Sequence, residues 1–346
     1  MKQLLIILGF SCLFFRCSPE KSTSGSYLMT VTGPIGIEQI GKTLEHEHLV
    51  TDFIGAEKVA QPQYQVSQAE KLILPFLQNL KNNDIKTLFE CTPEFIGRDV
   101  LLLRELSKKS GLYIITNTGY YAAANKRFLP KHAYTETAEQ LSERWISEWE
   151  NGIKGTGIKP GFIKLGVGKE SLDSVEQKIV KAGALTHLKT GLKIAIHTGS
   201  AIAANDEIDI LEHEGISANA LIIVHAQNTV SDEQTSLIKR GAWISLDGIN
   251  QKPETIEKYI EFLVAIKNEN LLDKVLISHD DGWSVIQKDD GIIDFELFGN
   301  GNKKPFSTIF EILFPRLKEF GFTQENFNQL LIQNPGQAYK IEVCRK

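Results

Sequence analysis

The 346-residue chain has few cysteines and no dominant charge. Its four cysteines, Cys12, Cys17, Cys91 and Cys344, are too few and too scattered for a disulfide framework or a cysteine-rich zinc site. No run of basic residues stands out from the net charge of −5, so nothing in the sequence favours nucleic-acid binding. The Gly-x-Gly-x-x-Gly pattern that follows the first strand of dinucleotide-binding folds is also missing. With 42% hydrophobic and 23% charged residues, the sequence is that of a globular protein with a sizeable core.

The N-terminus has the pattern of a targeting segment. A short basic start precedes an apolar stretch, residues 4–15, that is too short to span a bilayer as a helix. The sequence then changes to polar, turn-forming residues at Cys17. This pattern resembles a bacterial lipoprotein signal, in which that cysteine carries the lipid. We therefore predict export to the periplasm, with attachment to the membrane only through a lipid anchor on Cys17.

Alternatives to this anchor remain open. Arg16 replaces the small residue that usually precedes a lipidated cysteine, whereas Cys12 follows a serine but leaves a very short apolar core. A plain secretory signal or an uncleaved anchor would also export the chain. On the first interpretation, residues 1–17 form the signal peptide and residues 18–30, rich in Ser, Thr, Gly and Lys, form a flexible tether.

Apolar runs alternate with amphipathic stretches through most of the remaining chain. The predicted strands are Thr43–Val50, Ile85–Cys91, Tyr113–Thr118, Gly161–Val167, Lys193–His197, Ala220–His225, Ala242–Asp247 and Lys274–His279. The predicted helices between them are Val66–Lys81, Asp99–Lys109, Thr135–Glu150, Leu172–Lys189, Asp206–His213, Asp232–Arg240 and Glu254–Lys267. Alternation of this kind requires parallel strands, and strands that are apolar throughout indicate a sheet buried on both faces. Eight such units predict an α/β fold, a single (β/α)8 TIM barrel; a doubly wound open sheet is the alternative.

Short elements are predicted at both ends of this barrel. Residues 31–36 and 37–41 read as a small hairpin with Gly-Pro as its turn signal. Residues 306–320 and 324–339 read as two closing helices. No internal boundary or repeat interrupts the sequence, so residues 31–346 are predicted to form one domain.

The first barrel strand ends in two histidines, His46 and His48. Side chains alternate along a strand, so both imidazoles point to the same face, about 6–7 Å apart along the strand. Two imidazoles in this arrangement can bind one divalent metal ion. A pair of surface histidines on an edge strand would have the same spacing, but it would not need the apolar flanks of this segment.

Four more polar residues lie at the ends of later strands. Lys164 belongs to strand four, His197 ends strand five, His225 ends strand six and Asp280 follows strand eight. Taken singly, each has a structural explanation, such as a hydrogen-bonded core histidine or a capping aspartate. The carboxyl ends of barrel strands surround one active-site pocket, so these residues and the double histidine are predicted to converge there.

This set of side chains favours two metal ions. Two histidines with one carboxylate, and two further histidines, each need another anionic ligand to balance a divalent charge. If Lys164 reacts with CO₂, the resulting carbamate is a carboxylate long enough to bridge metals about 3.5–4 Å apart. A hydroxide bridging the same ions would be the nucleophile, because both charges lower its pKa.

The sequence resembles the phosphotriesterase family of the amidohydrolase superfamily. The motifs that carry this resemblance are Thr32–Ile35, Gly41–Leu49, Ile96–Val100, Ile163–Lys164, His197–Thr198, His225, Leu246–Asp247 and Ser278–Asp280. The resemblance covers essentially all of residues 31–346. It implies His46, His48 and Asp280 on a more buried metal, and His197 and His225 on a more exposed one. It also implies that carboxylated Lys164 and hydroxide bridge the metals, and that Asp280 accepts a proton as hydroxide attacks.

Two departures from the family pattern bear on the substrate. Phosphotriesterases proper carry an aspartate and a histidine that relay protons away, and the matching positions here are Asn228 and Gly248. Family members that act on lactones carry a tyrosine after strand three, where this chain offers Tyr121, with Tyr120 as the fallback. Both tyrosines could equally be aromatic lining of a pocket mouth. The departures favour carboxylic ester or lactone chemistry.

The remaining polar and aromatic residues receive weaker predictions. Asp247 is predicted either to support the site from strand seven or to be a solvated loop carboxylate. His279 is predicted to face away from the site, and Asp281 is the fallback ligand if the strand register slips by one. The surface histidines are predicted to be His132, His187 and His213. Core packing or an interface is predicted for Trp145 and Trp149, and Cys91 and Cys344 are expected to be free, buried thiols.

The sequence thus predicts a binuclear metal-dependent hydrolase that cleaves an ester bond in a carboxylic ester, lactone or phosphoester. Two divalent ions per chain are expected, with zinc preferred, although manganese, cobalt and iron suit the same ligands. A small-molecule ester or lactone is the expected partner, and a homodimer is compatible with the sequence. The alternatives are a mononuclear deaminase-type barrel, which would not need Lys164, and a non-catalytic metal-binding envelope lipoprotein.

Overall fold

A computed structural model describes residues 25–59, 62–298, 302 and 304–342. The predicted signal peptide, Cys12, Cys17 and Cys344 lie outside the described residues. Within them, Cys91 is a buried free thiol, as predicted. No helix in these ranges combines the length and apolar character needed to cross a membrane.

The N-terminal hairpin exists, but it begins one strand earlier than the sequence predicted. Its strands are β1 (Tyr27–Thr30) and β2 (Gly33–Gly36), which pair antiparallel. The turn is tightened by a hydrogen bond from Thr30 Oγ1 to the Gly33 carbonyl at 2.7 Å. Gly33 and Pro34 therefore lie in a strand instead of the turn, and residues 27–30 are not part of a flexible tether. Tyr27 also pairs with Ile341, which ties this hairpin to the end of the chain.

The predicted barrel strands are all present and parallel. They are β3 (Lys42–Glu47), β4 (Ile85–Glu90), β5 (Tyr113–Ile115), β6 (Asn117–Thr118), β7 (Phe162–Gly166), β8 (Ile194–His197), β9 (Leu221–Val224), β10 (Trp243–Leu246) and β11 (Val275–Ile277). The predicted third strand is interrupted at Thr116, so the pairing divides into a three-stranded section β3–β4–β5 and a six-stranded section from β6 to β11. Every residue of β7, β9, β10 and β11 is buried, as expected for a sheet covered on both faces.

Hydrogen bonds join the last strand to the first. The amide of His48 donates to the Asp281 carbonyl at 2.8 Å, and the amide of Asp280 donates to the His46 carbonyl at 3.1 Å. The chain is therefore a TIM barrel, as predicted, and the alternative of an open sheet is wrong. These closing bonds lie at the residues that carry the predicted metal ligands.

The helices surround the barrel in the predicted order. They are α1 (Val66–Leu80), α2 (Val100–Ser110), α3 (His132–Thr135), α4 (Ala138–Asn151), α5 (Ser174–Thr190), α6 (Ala201–His213), α7 (Ser231–Lys239), α8 (Pro253–Asn268), α9 (Phe314–Glu319), α10 (Gln324–Asn328) and α11 (Asn334–Tyr339). Side chains of Asp99 and Asp173 cap the starts of α2 and α5. The α6 helix begins five residues before its predicted start, because Ser200 caps it by accepting from the Ala203 amide.

The region after the last barrel strand differs most from the sequence prediction. An antiparallel hairpin of β12 (Gly282–Gln287) and β13 (Ile293–Phe298) lies between the eighth predicted strand and the closing helices, where no strand was predicted. The closing helices follow, each interrupted by a π-helical stretch, Ile309–Leu313 before α9 and Gln329–Gln333 before α11. The hairpin returns Phe298 to a position opposite Gly282, next to the end of the barrel.

Candidate active site

The predicted site residues line one cavity of about 140 Å³ at the carboxyl ends of the strands. Its lining residues are His46, His48, Thr51, Phe53, Cys91, Pro93, Ile96, Tyr121, Phe128, Lys164, His197, His225, Asp280 and Phe298. All seven residues predicted from the sequence to be metal ligands or catalytic groups are therefore brought together. The convergence follows from the parallel barrel, which places the end of every strand at the same rim.

The double histidine and Asp280 form the most compact part of the site. The rings of His46 and His48 lie 5.5 Å apart, and Oδ1 of Asp280 lies 3.5 Å from His46 Nε2 and 3.1 Å from His48 Nε2. Asp280 has a left-handed backbone with φ of 57°, which is unusual for a residue other than glycine. This conformation lets its carboxylate reach both imidazoles.

His197 and His225 form the second pair of imidazoles. Their rings lie 4.4 Å apart, and the His225 ring also lies 5.2 Å from that of His46. His225 too is left-handed, with φ of 62°. Two of the predicted ligands therefore adopt an unfavourable backbone conformation, a feature that clusters at functional sites.

Asp247 is buried and supports His225, so its interpretation as a solvated loop carboxylate is wrong. Its Oδ1 accepts from His225 Nδ1 and from Gln227 Nε2, and its Oδ2 accepts from the His225 amide and Ser245 Oγ. Burial would raise the pKa of Asp247, but His225 and His46 hold it below its ordinary value. With four donors in place, Asp247 fixes the His225 ring and leaves His225 Nε2 free for a ligand.

Lys164 lies on β7 among these groups and is 2% exposed. Within the described residues, its ammonium makes no hydrogen bond or ion pair. Burial lowers the pKa of Lys164, with Cys91, Asp247 and Asp280 acting in the opposite direction. A buried lysine without a bonded partner is costly, so the position calls for a reaction or a ligand that accommodates the amine.

The donor set fits divalent metal ions. Ligand atoms of His46, His48 and Asp280 lie within 4.8 Å of one another. Those of His225, Asp247 and Asp280 do so too, but four donors already occupy the Asp247 carboxylate. His48 Nδ1 is bonded to Thr92 Oγ1 at 2.8 Å, which directs His48 Nε2 into the site. Imidazole and carboxylate groups in this arrangement are typical zinc ligands. His197 and Lys164 line the same cavity but belong to neither group.

An unpartnered nitrogen supports the same assignment. His46 Nδ1 is buried and has no hydrogen-bond partner among the described residues, although Oδ2 of Asp247 lies 3.8 Å away. Burial lowers the pKa of His46 well below its ordinary value, so the imidazole is neutral and able to donate an electron pair.

Aromatic rings form a chain around the cavity that links His48 to His197. Phe298 packs on His48 at 5.3 Å and on Phe53 at 5.4 Å. Phe53 contacts Phe128 at 5.8 Å, Phe128 contacts Tyr121 at 6.1 Å, and Tyr121 contacts His197 at 5.0 Å. We call Phe53, Phe128, Phe298 and Tyr121 the aromatic wall of the cavity. Its three phenylalanines were not predicted, because each reaches the site through loop or hairpin structure.

Tyr121 occupies its position because Gly166 has no side chain. A Cβ atom at Gly166 would lie 2.4 Å from the Tyr121 ring. Burial raises the pKa of the Tyr121 hydroxyl, so this group stays protonated and can donate a hydrogen bond at neutral pH. The fallback, Tyr120, instead bonds His132 at 3.0 Å and packs on Trp145, outside the cavity.

Three buried glutamates next to the ligands were not singled out from the sequence. Glu45, Glu47 and Glu90 are at most 1% exposed; burial raises the pKa of each, and the hydrogen bonds that each accepts act in the opposite direction. Glu45 and Glu47 belong to the strand of the double histidine, which is buried on both faces. The sequence signal that could have revealed them is the presence of acidic residues in a strand predicted to be fully buried.

The weaker predictions have mixed outcomes. His279 faces away from the cavity as predicted, and the register does not slip, so Asp281 is not a cavity residue. Trp145 is 1% exposed and Trp149 packs against the core, as predicted. His213 is exposed, but the surface prediction is wrong for His132 and His187, which are half-buried because they bond Tyr120 and the Leu192 carbonyl.

The fold and the cavity define a barrel with a histidine-rich site at the carboxyl ends of its strands. The model of the phosphotriesterase family matches residues 26–339. The chain therefore belongs to the phosphotriesterase family and is a hydrolase of that family, which confirms the resemblance found in the sequence.

Named relatives show the range of this family. The chain is similar to the phosphotriesterase homology protein of Escherichia coli, with 26% identity over 88% of this chain and 100% of that protein. It is also similar to N-acetyltaurine hydrolase of Tetraodon nigroviridis, with 28% identity over 89% and 96% of the two chains. The solved structure of organophosphorus hydrolase from Deinococcus radiodurans superimposes with a TM-score of 0.79 at 25% identity, covering 92% of this chain and 98% of that one.

Proposed function

We propose that this protein is a binuclear, zinc-preferring hydrolase that cleaves small carboxylic esters or lactones. The observation that carries the proposal is the meeting of four imidazoles, Lys164 and the Asp280 carboxylate in one cavity. His46, His48 and Asp280 would hold one ion, and His197 and His225 the other. Manganese, cobalt and iron also suit these ligands.

Bound divalent ions would polarise the substrate oxygen and lower the pKa of the attacking water. The other tasks belong to the protein. The carboxylate of Asp280, whose side chain is 21% exposed, accepts the proton that the attacking water loses. Tyr121 donates its hydroxyl to the carbonyl or ring oxygen of the substrate and orients it. Asp247 holds the His225 ring so that Nε2 of His225 faces the cavity.

We propose that Lys164 carries the anionic bridge as a carbamate. Its neutral terminal amine would attack the carbon of CO₂, so that an N–C bond forms while one C=O π pair moves onto oxygen, and the proton released from the nitrogen passes to solvent. The site supports this step because four imidazoles line the same cavity as Lys164, and no described carboxylate bonds to its side chain.

The residues that line the cavity favour a small, uncharged substrate. Three phenylalanines, Ile96 and Pro93 supply apolar wall, and Tyr121 and Thr51 carry its hydroxyl groups. Lys164 is the only lysine or arginine lining the cavity among the described residues. A substrate with a sulfonate or carboxylate group, such as N-acetyltaurine, would therefore find no cationic side chain there once Lys164 is a carbamate. Asn228 and Gly248, at the positions of the relay residues, favour carboxylic esters over phosphotriesters.

Metal analysis and a substrate panel test the proposal. The purified protein should hold about two zinc ions per chain and hydrolyse p-nitrophenyl acetate and short lactones faster than a phosphotriester or N-acetyltaurine. One ion per chain with no need for Lys164 would favour the deaminase-type alternative. Loosely bound metal without turnover would favour a metal-binding envelope protein.

We also propose that the enzyme works outside the cytoplasm, attached through a lipid on Cys17. The apolar stretch at residues 4–15 and the polar change after Cys17 support this proposal. Labelling cells with a palmitate analogue should mark the wild type and Cys12→Ser but not Cys17→Ser.

Light scattering of the purified domain tests whether it forms the homodimer.

A further inference from the structure

We propose that Glu47, the residue between the two histidines, is a positioning residue that holds Asp280 in its ligand conformation. The inference rests on the metal centre proposed above and adds to it a role for a side chain that does not enter the cavity. Glu47 is fully buried on the face of β3 opposite His46 and His48.

The Glu47 carboxylate binds the chain on both sides of Asp280. Its Oε1 accepts from Ser278 Oγ at 2.8 Å, from the His279 amide at 3.1 Å and from His279 Nδ1 at 2.8 Å. Its Oε2 accepts from the Asp281 amide at 2.9 Å. Four donors from three residues therefore bond the Glu47 carboxylate. Asp280, which lies between these residues in the sequence, makes no bond to it, and its side chain faces the cavity.

The neighbouring contacts fix the direction of these bonds. His279 Nε2 accepts from the Ile309 amide at 3.2 Å, so Nδ1 of the neutral ring carries the hydrogen and donates to Glu47. On the other side, the Asp281 carboxylate accepts from Asn302 Nδ2 and from the Phe306 amide. The residues before and after Asp280 are thus both anchored away from the cavity.

The same carboxylate connects to the double histidine. Ser278 Oγ donates to Glu47 and accepts from the His46 amide at 3.0 Å. Glu47 therefore fixes the end of strand β11 against the end of strand β3, where the ligands of one proposed ion come from both strands. Ligand atoms of Glu47, His279 and Asp281 lie within 4.8 Å of one another, as at a metal site, but hydrogen-bond donors already fill the Glu47 carboxylate.

This arrangement explains how Asp280 keeps an unfavourable backbone. A left-handed conformation is unfavourable for a residue other than glycine, and Asp280 has φ of 57°. Such a conformation persists only where the surroundings hold it. The bonds from Glu47 to residues 278, 279 and 281 supply that constraint, so the Asp280 carboxylate faces His46 and His48 before any metal binds.

Zinc titration of the metal-free protein tests the proposal with a matched pair of variants. Glu47→Gln keeps the volume but turns one acceptor oxygen into a donor that faces another donor. Glu176→Gln is the control, because buried Glu176 also accepts hydrogen bonds from two backbone amides, those of Gly168 at 2.8 Å and Asp173 at 3.1 Å, and bonds no residue next to Asp280 or the double histidine. We expect Glu47→Gln to weaken one of two zinc affinities about 10- to 100-fold, and Glu176→Gln to leave both unchanged.

Further readouts separate positioning from stability. Excess zinc should restore most of the turnover number of Glu47→Gln, whereas it should not change the turnover number of Glu176→Gln. If Glu47→Gln does not fold, Ser278→Ala, which removes one donor to Glu47, should weaken the same zinc affinity to a smaller extent. Equal zinc affinities in the wild type and the folded variant would overturn the positioning role while leaving the hydrolase proposal intact. A wild type that binds no zinc would overturn both.

Discussion

The carboxylate of Asp247 accepts a hydrogen bond from Nδ1 of His225, and both side chains are buried at the ends of adjacent strands. The pair decides which nitrogen of His225 remains available in the cavity. Asp247 completes its own hydrogen bonding through Ser245, Gln227 and the His225 amide, so it has no spare lone pair with which to replace a ligand.

Replacing this carboxylate should weaken metal binding without removing a ligand. In Asp247→Asn, the side-chain NH₂ group replaces an acceptor oxygen and faces at least one of the donors that bonded it. The hydrogen bonds that fix the orientation of the His225 ring are therefore weakened. We expect about 10- to 100-fold weaker zinc binding at one site, measured by competition with a chelator. Ser245→Ala removes one of the four donors to Asp247 and should show a smaller effect in the same direction. Unchanged zinc affinity in Asp247→Asn would mean that His225 is not oriented by this pair.

Lys164→Ala should lose most of the bound metal and most of the activity, because the proposed anionic bridge disappears. Short-chain carboxylic acids such as propionate should restore part of both, since they can occupy the space of the carbamate. Lys193→Ala is a matched control, because Lys193 is also buried but precedes strand β8 at the opposite end of the barrel. Metal content by mass spectrometry and esterase assays would report both effects. Full activity in Lys164→Ala would contradict the carbamate.

The sequence was sufficient to predict the barrel and the residues of its rim. The apolar strand Ile194–His197 ends in a histidine, and the apolar strand Leu221–Val224 is followed directly by one. Parallel barrel strands bring these ends to one rim whatever the structure of the loops. Periodicity and strand polarity are local properties, so these features can be read without knowing any tertiary contact.

The features that the sequence did not predict depend on contacts between distant residues. Phe298 reaches the cavity only because β13 pairs with β12 in a register that sets it opposite Gly282. The buried role of Glu47 depends on donors more than 230 residues away. The N-terminal hairpin was misplaced because Gly33-Pro34 reads as a turn, whereas Pro34 is tolerated in a short edge strand.

Tyr121→Phe should lower kcat/KM for lactones about 2- to 10-fold, the loss of one neutral hydrogen bond to the substrate. The effect should be smaller for p-nitrophenyl acetate, because its leaving group departs readily without the hydrogen bond from Tyr121. Tyr120→Phe is the control, since its hydroxyl bonds His132 outside the cavity. Steady-state kinetics on both substrates would make the comparison. Equal effects of the two variants would assign Tyr121 to packing alone.

Phe298→Ala should enlarge the cavity on the side of His48 and Phe53. We expect the ratio of kcat/KM for p-nitrophenyl butyrate to that for the acetate to rise several-fold, because longer acyl groups gain space. Phe295→Ala removes a ring of the same strand that packs on Tyr64 instead, so it should leave this ratio unchanged. A ratio that stays constant in Phe298→Ala would show that the acyl group binds elsewhere.

The stability of the domain should depend on His187 at mildly acidic pH. Burial lowers the pKa of His187 below its ordinary value of 6.5, while its Nδ1 bonds the Leu192 carbonyl at 2.8 Å. The unfolded chain then binds more protons than the folded one below pH 6.5, so the free energy of unfolding falls as the pH drops through that window. His187→Gln keeps a donor for Leu192 but cannot be protonated, so it should lose less stability than the wild type between pH 7 and pH 5. Urea unfolding across this range measures the difference, and parallel pH profiles for the two proteins would contradict it.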